Sequence, residues 1–342
     1  MNKIIEQDVK NILSEKLPWN ELKNNVVMVT GANGFIPSYI VETLLAIGDI
    51  KVVAVVRNLD KALEKFKHHR KNQNLEFFVH DLSQPLYFKD HLDYIIHAAS
   101  QASPKFYGKD PVGTLRSNTI GTASLLEIAK EQKIKKFLFV SSGEVYGNVE
   151  EDLISENCSG NVNITNIRSC YAESKRMGEN MCVCYSSQYG IFVNQIRLAH
   201  TYGPGISLND GRVFADFVKN IVNNEDIVLN SDGSAKRCFI YISDMIRAVF
   251  YVLFNGENRE AYNISSSQEI SILELANLLI ALYPEKGLKV SFSNNVVSNG
   301  YIPSKTKRIM LDINKLKALG WNEKIDLETG FKRMIDSYVS DG

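Results

Sequence analysis

Six short apolar runs punctuate the first two hundred positions: NVVMVT (25–30), KVVAVV (51–56), LEFFVH (75–80), LDYIIHAA (92–99), KKFLFVSS (135–142) and IFVNQIRLA (191–199). Near-continuous Val, Ile and Phe over this length is the pattern of strands covered on both faces. Helical patterns fit between them, at 37–46, 111–130 and 171–188. The alternation predicts an α/β protein built on a doubly wound parallel sheet. Residues 3–16 read as a short amphipathic helix ahead of it. From about Gly205 the pattern loosens, and turn-rich NSDGSAKR (230–237) and helical SILELANLLIALY (271–283) predict a smaller C-terminal α/β lobe. The expected division is a helical extension at 1–24, a main domain at 25–200 to which 238–265 returns, and a substrate lobe from 201–237 and 266–342.

Composition narrows the class. A chain of 342 residues, 44% hydrophobic and 23% charged, is long enough for one large domain with a smaller lobe. Lys+Arg and Asp+Glu both count 39, so no overall field favours nucleic acid or a membrane surface. Five cysteines without paired metal spacing read as reduced thiols. The amphipathic N-terminus has no apolar core of signal-peptide length, and no 18-residue apolar run occurs later, so a cytoplasmic protein without a membrane span is expected.

The first strand runs into TGANGFIPSY, with Gly31 and Gly34 where a dinucleotide-binding turn needs them. The first glycine permits a turn closed to residues with a Cβ, and the second lets backbone approach a phosphate. Asn33 lies between them, and the N–H groups of Phe35 and Ile36 are the donors best placed for a pyrophosphate. The third glycine of such loops is Pro37 here, tolerable in a first helical turn where an N–H has no partner. The loop marks the sheet as Rossmann-type, with NAD(P) expected to be tightly held. At the end of the second strand Arg57 stands where an acid would meet the adenosine ribose. A guanidinium there pairs with a 2′-phosphate in NADP or stacks over adenine with NAD bound, and the residue alone does not choose. Asp81 and Leu82, after the third strand, fit adenine contact.

Tyr171-Ala-Glu-Ser-Lys175 sets a phenol and an ammonium four residues apart on one helix face. An adjacent ammonium is expected to lower the tyrosine pKa and make a base usable near neutral pH. SSGEVYG (141–147) ends the fifth strand at the expected catalytic edge, with Ser142 able to hydrogen-bond a reacting hydroxyl.

These stretches, with HAAS (97–100), SNTIGT (117–122), RLAHTYGP (197–204), RCFIYISDM (237–245), AYNISS (261–266) and LKALGW (316–321), resemble the extended short-chain dehydrogenase/reductases of the nucleotide-sugar epimerase/dehydratase group across 25–335. The resemblance implies Ser142, Tyr171 and Lys175 as catalytic triad, Asn118 as support, cofactor contacts at Ala98, Ala99 and Ser100, a nucleotide-sugar substrate, and homodimers through two helices of the main domain. Glu144 matches the acid of 4,6-dehydratases and of UDP-glucuronate decarboxylases. ASPKFYGKDPVGTLRSNTIGT (102–122), NIRSCYAESKRMGE (166–179) and NDGRVFADFV (209–218) resemble the decarboxylases in particular. Ser103, Glu144, Arg212, Arg237 and Arg308 are the substrate-side candidates. A 4,6-dehydratase or an epimerase/4-dehydrogenase is the alternative enzyme, and a cofactor-sensing protein without catalysis the alternative class. The chain departs from the decarboxylase pattern at Gly143 (serine there), at Gly205 (arginine) and at His200 (asparagine). The lost arginine is expected to remove a cation from the substrate site, and His200 reads as a packing residue.

Overall fold

The computed structural model describes residues 1–293 and 308–339. Seven parallel strands form the central sheet in the order β10-β6-β5-β4-β1-β2-β3. They are β1 (Val26–Thr30), β2 (Lys51–Val56), β3 (Leu75–Val79), β4 (Tyr94–His97), β5 (Lys136–Ser142), β6 (Val193–Leu198) and β10 (Ala261–Ile264). Each run is apolar on both sides because each face packs against its own helices. Val27, Val29, Ala54 and Ile96 belong to one buried cluster, and Met28, Val53, Ile95 and Phe137 to the other. The first face is covered by α1 (Lys3–Leu13), α2 (Phe35–Ile47), α3 (Leu59–Lys65) and α8 (Ile242–Asn255), and the second by α5 (Pro111–Gln132) and α6 (Ser169–Tyr189). Asp110 caps α5, accepting from Gly113 N at 3.0 Å, and Pro111 opens the helix.

The smaller part is built on two short sheets. One joins β7 (His200–Tyr202), β9 (Lys236–Tyr241), β11 (Glu269–Ser271) and β13 (Arg308–Ile309), and the other pairs β8 (Ile227–Leu229) with β12 (Val290–Phe292). Around them lie α7 (Val213–Asn223), α9 (Ile272–Ala281), α10 (Asn314–Ala318) and α11 (Leu327–Val339). The short α4 (Lys105–Lys109) overhangs the main sheet's carboxyl edge ahead of α5. The chain crosses between parts through α8 and β10, which pairs with β6 in parallel register from Ala261↔Gln195 to Ile264↔Leu198. No helix among the described residues is long and apolar enough to cross a membrane.

The N-terminal helix is part of the fold rather than a segment ahead of it. Asp8, fully buried, accepts from Tyr241 OH at 2.8 Å and Arg333 Nη2 at 2.6 Å, with Tyr39 OH at 3.4 Å. Burial still pushes this carboxyl above the usual range, against the pull of Arg333. Glu15, just past the helix, holds Arg247 Nε at 2.7 Å and Tyr251 OH at 2.8 Å. α1 thus ties α2, β9, α8 and α11 together through two acids. Asp8→Ala takes away the acceptor of the buried Tyr241 hydroxyl and the anion facing Arg333, and is expected to lower unfolding stability by about 3 kcal/mol. Urea titration should show a lower midpoint at unchanged slope. A loss under about 1 kcal/mol would mean the helix carries little of the fold.

Candidate active site

The carboxyl ends of β1, β2, β4, β5 and β6 open into one cleft of about 1610 Å³, closed from the other side by β7, β9 and the start of α7. Such a volume exceeds the roughly 300–1,000 Å³ of a site for one small molecule and leaves room for two extended ligands.

At one end is the glycine loop. Gly31 has φ +66°, and a Cβ on it would come within 2.9 Å of Ala99 Cα. Gly34 is the N-cap of α2 and no side chain caps that helix. The N–H groups of Phe35 and Ile36 therefore stay available at the positive end of the helix. The helix starts at Phe35, two residues ahead of the sequence expectation, so Pro37 is its third residue and removes one donor from the first turn. Cradle and open helix terminus fit a dinucleotide pyrophosphate. Asn33, Ala98, Ala99 and Ser100 line the same end. Arg57 is exposed at the rim. Asp110 is held below its usual range by hydrogen bonds from Gln101 and Gly113 N, with Arg57 adding to them. Asp81 lines the cleft while its Oδ1 accepts from Ser83 N at 2.9 Å in a local turn, and Leu82 is buried beside it. Asn118 does not line the cleft. It is buried behind it, its Nδ2 donating to Ser174 Oγ at 3.0 Å.

Midway lie Ser142, Glu144, Tyr171 and Lys175. Ser142 ends β5 and its Oγ accepts from Glu144 N at 3.3 Å, so it caps the following turn as well as facing the phenol. The expected lowering of the Tyr171 pKa is not found. Burial raises it to about 12, and Ser142 pulls the other way without overcoming burial. Lys175 Nζ donates to Val140 O at 2.7 Å and stands 6.0 Å from the Tyr171 ring centroid. Burial also drives that ammonium down to about 7, so it has little charge to lend the phenol.

Three neighbours went unread in the sequence. Arg168, just ahead of α6, grips Glu144 with two bonds, Nη1 to Oε2 at 2.9 Å and Nη2 to Oε1 at 3.1 Å. Tyr107 of α4 stacks on Tyr171, centroids 5.0 Å apart at 16°. Asp210 pairs with Arg212. Arg168 and Tyr107 both fall inside decarboxylase-like stretches, but neither carries a signal of its own. At the far end, Arg212 and Arg237 line the cleft around His200. Burial first, then those two cations, hold the imidazole neutral at about 3. Ser103 faces the same region and donates to Asp210 O at 2.6 Å. The Arg308 side chain lies outside the described residues. Gly205 does not line the cleft. Its φ is +88° and its nearest neighbour in the Cβ direction is Ile5 of α1 at 3.6 Å.

Residues 27–265 match the NAD dependent epimerase/dehydratase family. UDP-glucuronic acid decarboxylase 1 of Xenopus tropicalis is 33% identical over 335 residues, covering 96% of this chain and 76% of the relative. UDP-glucuronic acid decarboxylase 6 of Arabidopsis thaliana is 32% identical over 316 residues, covering 92% and 89%. Among solved structures, the UDP-glucuronic acid 4-epimerase of Bacillus cereus, in complex with UDP-glucuronic acid and NAD, superposes with TM-score 0.78 at 25% identity, over 92% of this chain and 99% of that one. The chain belongs to the NAD dependent epimerase/dehydratase family, and NAD is the cofactor that family uses.

The buried lysine has a consequence for stability. In the cofactor-free protein its folded pKa, about 7, lies below the ordinary 10.5, so above pH 7 the unfolded chain binds a proton that the folded one does not. Stability should therefore rise with pH from about 7 toward 10 on this group's account. Lys175→Met should flatten that rise, read as the difference in urea midpoints between the two proteins at pH 7 and pH 9.5. Parallel midpoints would mean that Lys175 is charged when buried.

Proposed function

We propose that the protein is an NAD-dependent nucleotide-sugar enzyme that decarboxylates UDP-glucuronate through a 4-keto intermediate. The observation that carries the reading is Arg168, a guanidinium already holding a carboxylate and lying over the ring of Tyr107, which stacks on Tyr171. A uronate carboxylate finds there a bidentate partner, and the decarboxylase relatives support that choice of substrate.

Bound NAD supplies the hydride acceptor and donor. The remaining chemistry falls to the chain's own groups. Tyr171, once its own proton has left as the positive charge of bound NAD would favour, takes the proton of the sugar 4-hydroxyl as C4 is oxidised, with Ser142 against it. The product is a β-keto acid. The C5–C6 bond breaks, CO2 leaves, and the electron pair passes into the enolate of the 4-keto group. A proton drawn from solvent would add to C5, the reduction at C4 would be bound NAD's part, and Tyr171 gives its proton back to the 4-oxygen. The sum is UDP-glucuronate plus one proton to a UDP-pentose and CO2, with no net redox change. When the uronate carboxylate takes Arg168, Glu144 is released into the cleft beside the reacting carbons. Arg212 and Arg237 supply positive charge for the diphosphate. A 4-epimerase or 4,6-dehydratase is the second reading, favoured by Gly143, which offers no hydroxyl where the decarboxylase pattern has serine. A homodimer through α5 and α6 is also inferred, since Val112, Leu115, Met177 and Val183 stand exposed on those helices.

Incubation with NAD and UDP-glucuronate should yield a nucleotide sugar lighter by one CO2. An unchanged mass with inverted C4 makes it an epimerase, and loss of water makes it a dehydratase. Tyr171→Phe should lower kcat by about 10²–10⁴-fold. Arg168→Gln should cut kcat/KM for UDP-glucuronate by roughly 10–100-fold, the worth of a charge-assisted pair, while sparing NAD binding. Equal kcat/KM in that variant would remove Arg168 from carboxylate recognition.

A further inference from the structure

Away from the cleft, three donor atoms from two elements converge. Glu42, on the inner face of α2, has a side chain 8% exposed. His68 Nε2 lies 2.8 Å from its Oε1 and His69 Nε2 lies 2.7 Å from its Oε2. One ligand atom from each of the three residues lies within 4.8 Å of the others, the only such group among the described residues. The two imidazoles are neighbours in the 3-10 turn Lys67–His69 that follows α3, with ring centroids 4.3 Å apart at 47°. That turn is anchored by Phe66, buried against Phe77 with centroids 5.9 Å apart. Both ε nitrogens are thereby turned inward onto one carboxylate.

Lys65 stands close enough to feel Glu42, and burial lowers its pKa against that pull. Burial likewise lowers His68. The chain's amino terminus acts on His68 and weakly disfavours its protonation. A largely buried carboxylate facing two Nε2 atoms brings three ligand atoms to one point; in the hydrogen-bonded state each Nε2 donates to the carboxylate, and binding an ion there displaces those hydrogens.

We infer that Glu42, His68 and His69 form a site for one divalent transition-metal ion, of which Zn2+ is the natural representative. Two imidazole nitrogens and a carboxylate oxygen are the donor set that zinc takes, with a fourth position left for water. The present N···O separations are those of hydrogen bonds. Ligands at about 2.0–2.1 Å around a tetrahedral ion need them slightly wider, a shift within reach of side-chain rotation in a partly exposed turn. None of the three residues lines the cleft. The ion's role is therefore to clip the 3-10 turn to α2. The segment so held runs back through α3 to Arg57 at the cofactor end.

The test uses the full chain freed of metal by chelator and gel filtration. Calorimetry with ZnCl2 should give one ion per chain, and CoCl2 should give visible d–d absorption, which a carboxylate merely hydrogen-bonded to two histidines does not produce. His69→Ala and Glu42→Gln should each abolish the stoichiometric site, with NAD binding retained as evidence of the fold. Zinc should raise the melting temperature of the parent chain and not of the variants, because the ion binds only where the three residues are held together. No zinc uptake by the parent chain would overturn the site. So would variants that bind zinc as the parent does, since the ion would then lie elsewhere, exposed Cys184 being one such place.

Discussion

His97 closes β4 with Nδ1 2.8 Å from Thr30 Oγ1 at the end of β1 and Nε2 3.0 Å from Thr122 Oγ1 on α5. Thr30 Oγ1 already accepts the N–H groups of Ala98 and Ala99, each at 3.0 Å, so its own hydrogen goes to Nδ1. The ring proton then sits on Nε2 and is donated to Thr122, whose hydroxyl continues to Asn118 O at 2.6 Å. A chain of donors running one way requires a neutral ring, and burial holds His97 at about 3. From Asn118 the connection proceeds through Nδ2 to Ser174 Oγ and from there to Tyr171 O, each at 3.0 Å. The close approach of Gly31 to Ala99 at the cofactor end and the placement of the phenol on α6 are thus set by one continuous buried network. A change of a single hydrogen-bonding group in it would be felt at both ends.

The same burial decides the charges in the cleft. Tyr171 and Lys175 are pushed toward their neutral forms, and so is His200. Two of the guanidinium groups that remain face carboxylates: Arg168 holds Glu144 and Arg212 holds Asp210. A partly dry pocket cannot keep an unpaired guanidinium cheaply, so each waits with an internal anion. On the function proposed above, an incoming diphosphate or carboxylate would enter by exchange with these acids rather than by filling an empty positive pocket. Exchange would favour ligands whose anionic groups are spaced as the two pairs are, and it would couple recognition to chemistry through the carboxylate displaced from Arg168.

The parallel sheet was legible because its strands are unbroken Val, Ile and Phe, a pattern that half-exposed strands and surface helices do not produce. The glycine loop was legible because Gly31 and Gly34 meet steric demands that residues with a Cβ fail. Spacing and strand position together picked out Ser142, Tyr171 and Lys175, which the structure brings into one cleft. What escaped were relations between side chains far apart in sequence: the Glu144–Arg168 pair, the stacking of Tyr107 on Tyr171, and the chain through His97. None of these has a local period or a turn signature. The pKa of Tyr171 was misjudged for a related reason. Spacing puts Lys175 on the same helix face, but only the packing reveals that its ammonium is desolvated and turned to Val140 O.

The departures from the decarboxylase pattern separate once burial is considered. At Gly143 a Cβ would stand 3.5 Å from both Leu198 O and Leu311 Cδ1, ordinary contact, so glycine there is not forced by space and removes a hydroxyl from the cleft. At Gly205 the reasoning reverses. The backbone lies in the left-handed region, costly for a side chain, and Ile5 of α1 stands in the Cβ direction. Pro204, next to it, accepts from Tyr39 OH at 3.1 Å, the hydroxyl that also faces Asp8. The loop after β7 is therefore fastened from behind by the N-terminal helix and by α2, and at Gly205 it is the left-handed backbone rather than a lack of space that favours glycine. Gly143 thus lines the cleft, while Gly205 lies off it with α1 at its back.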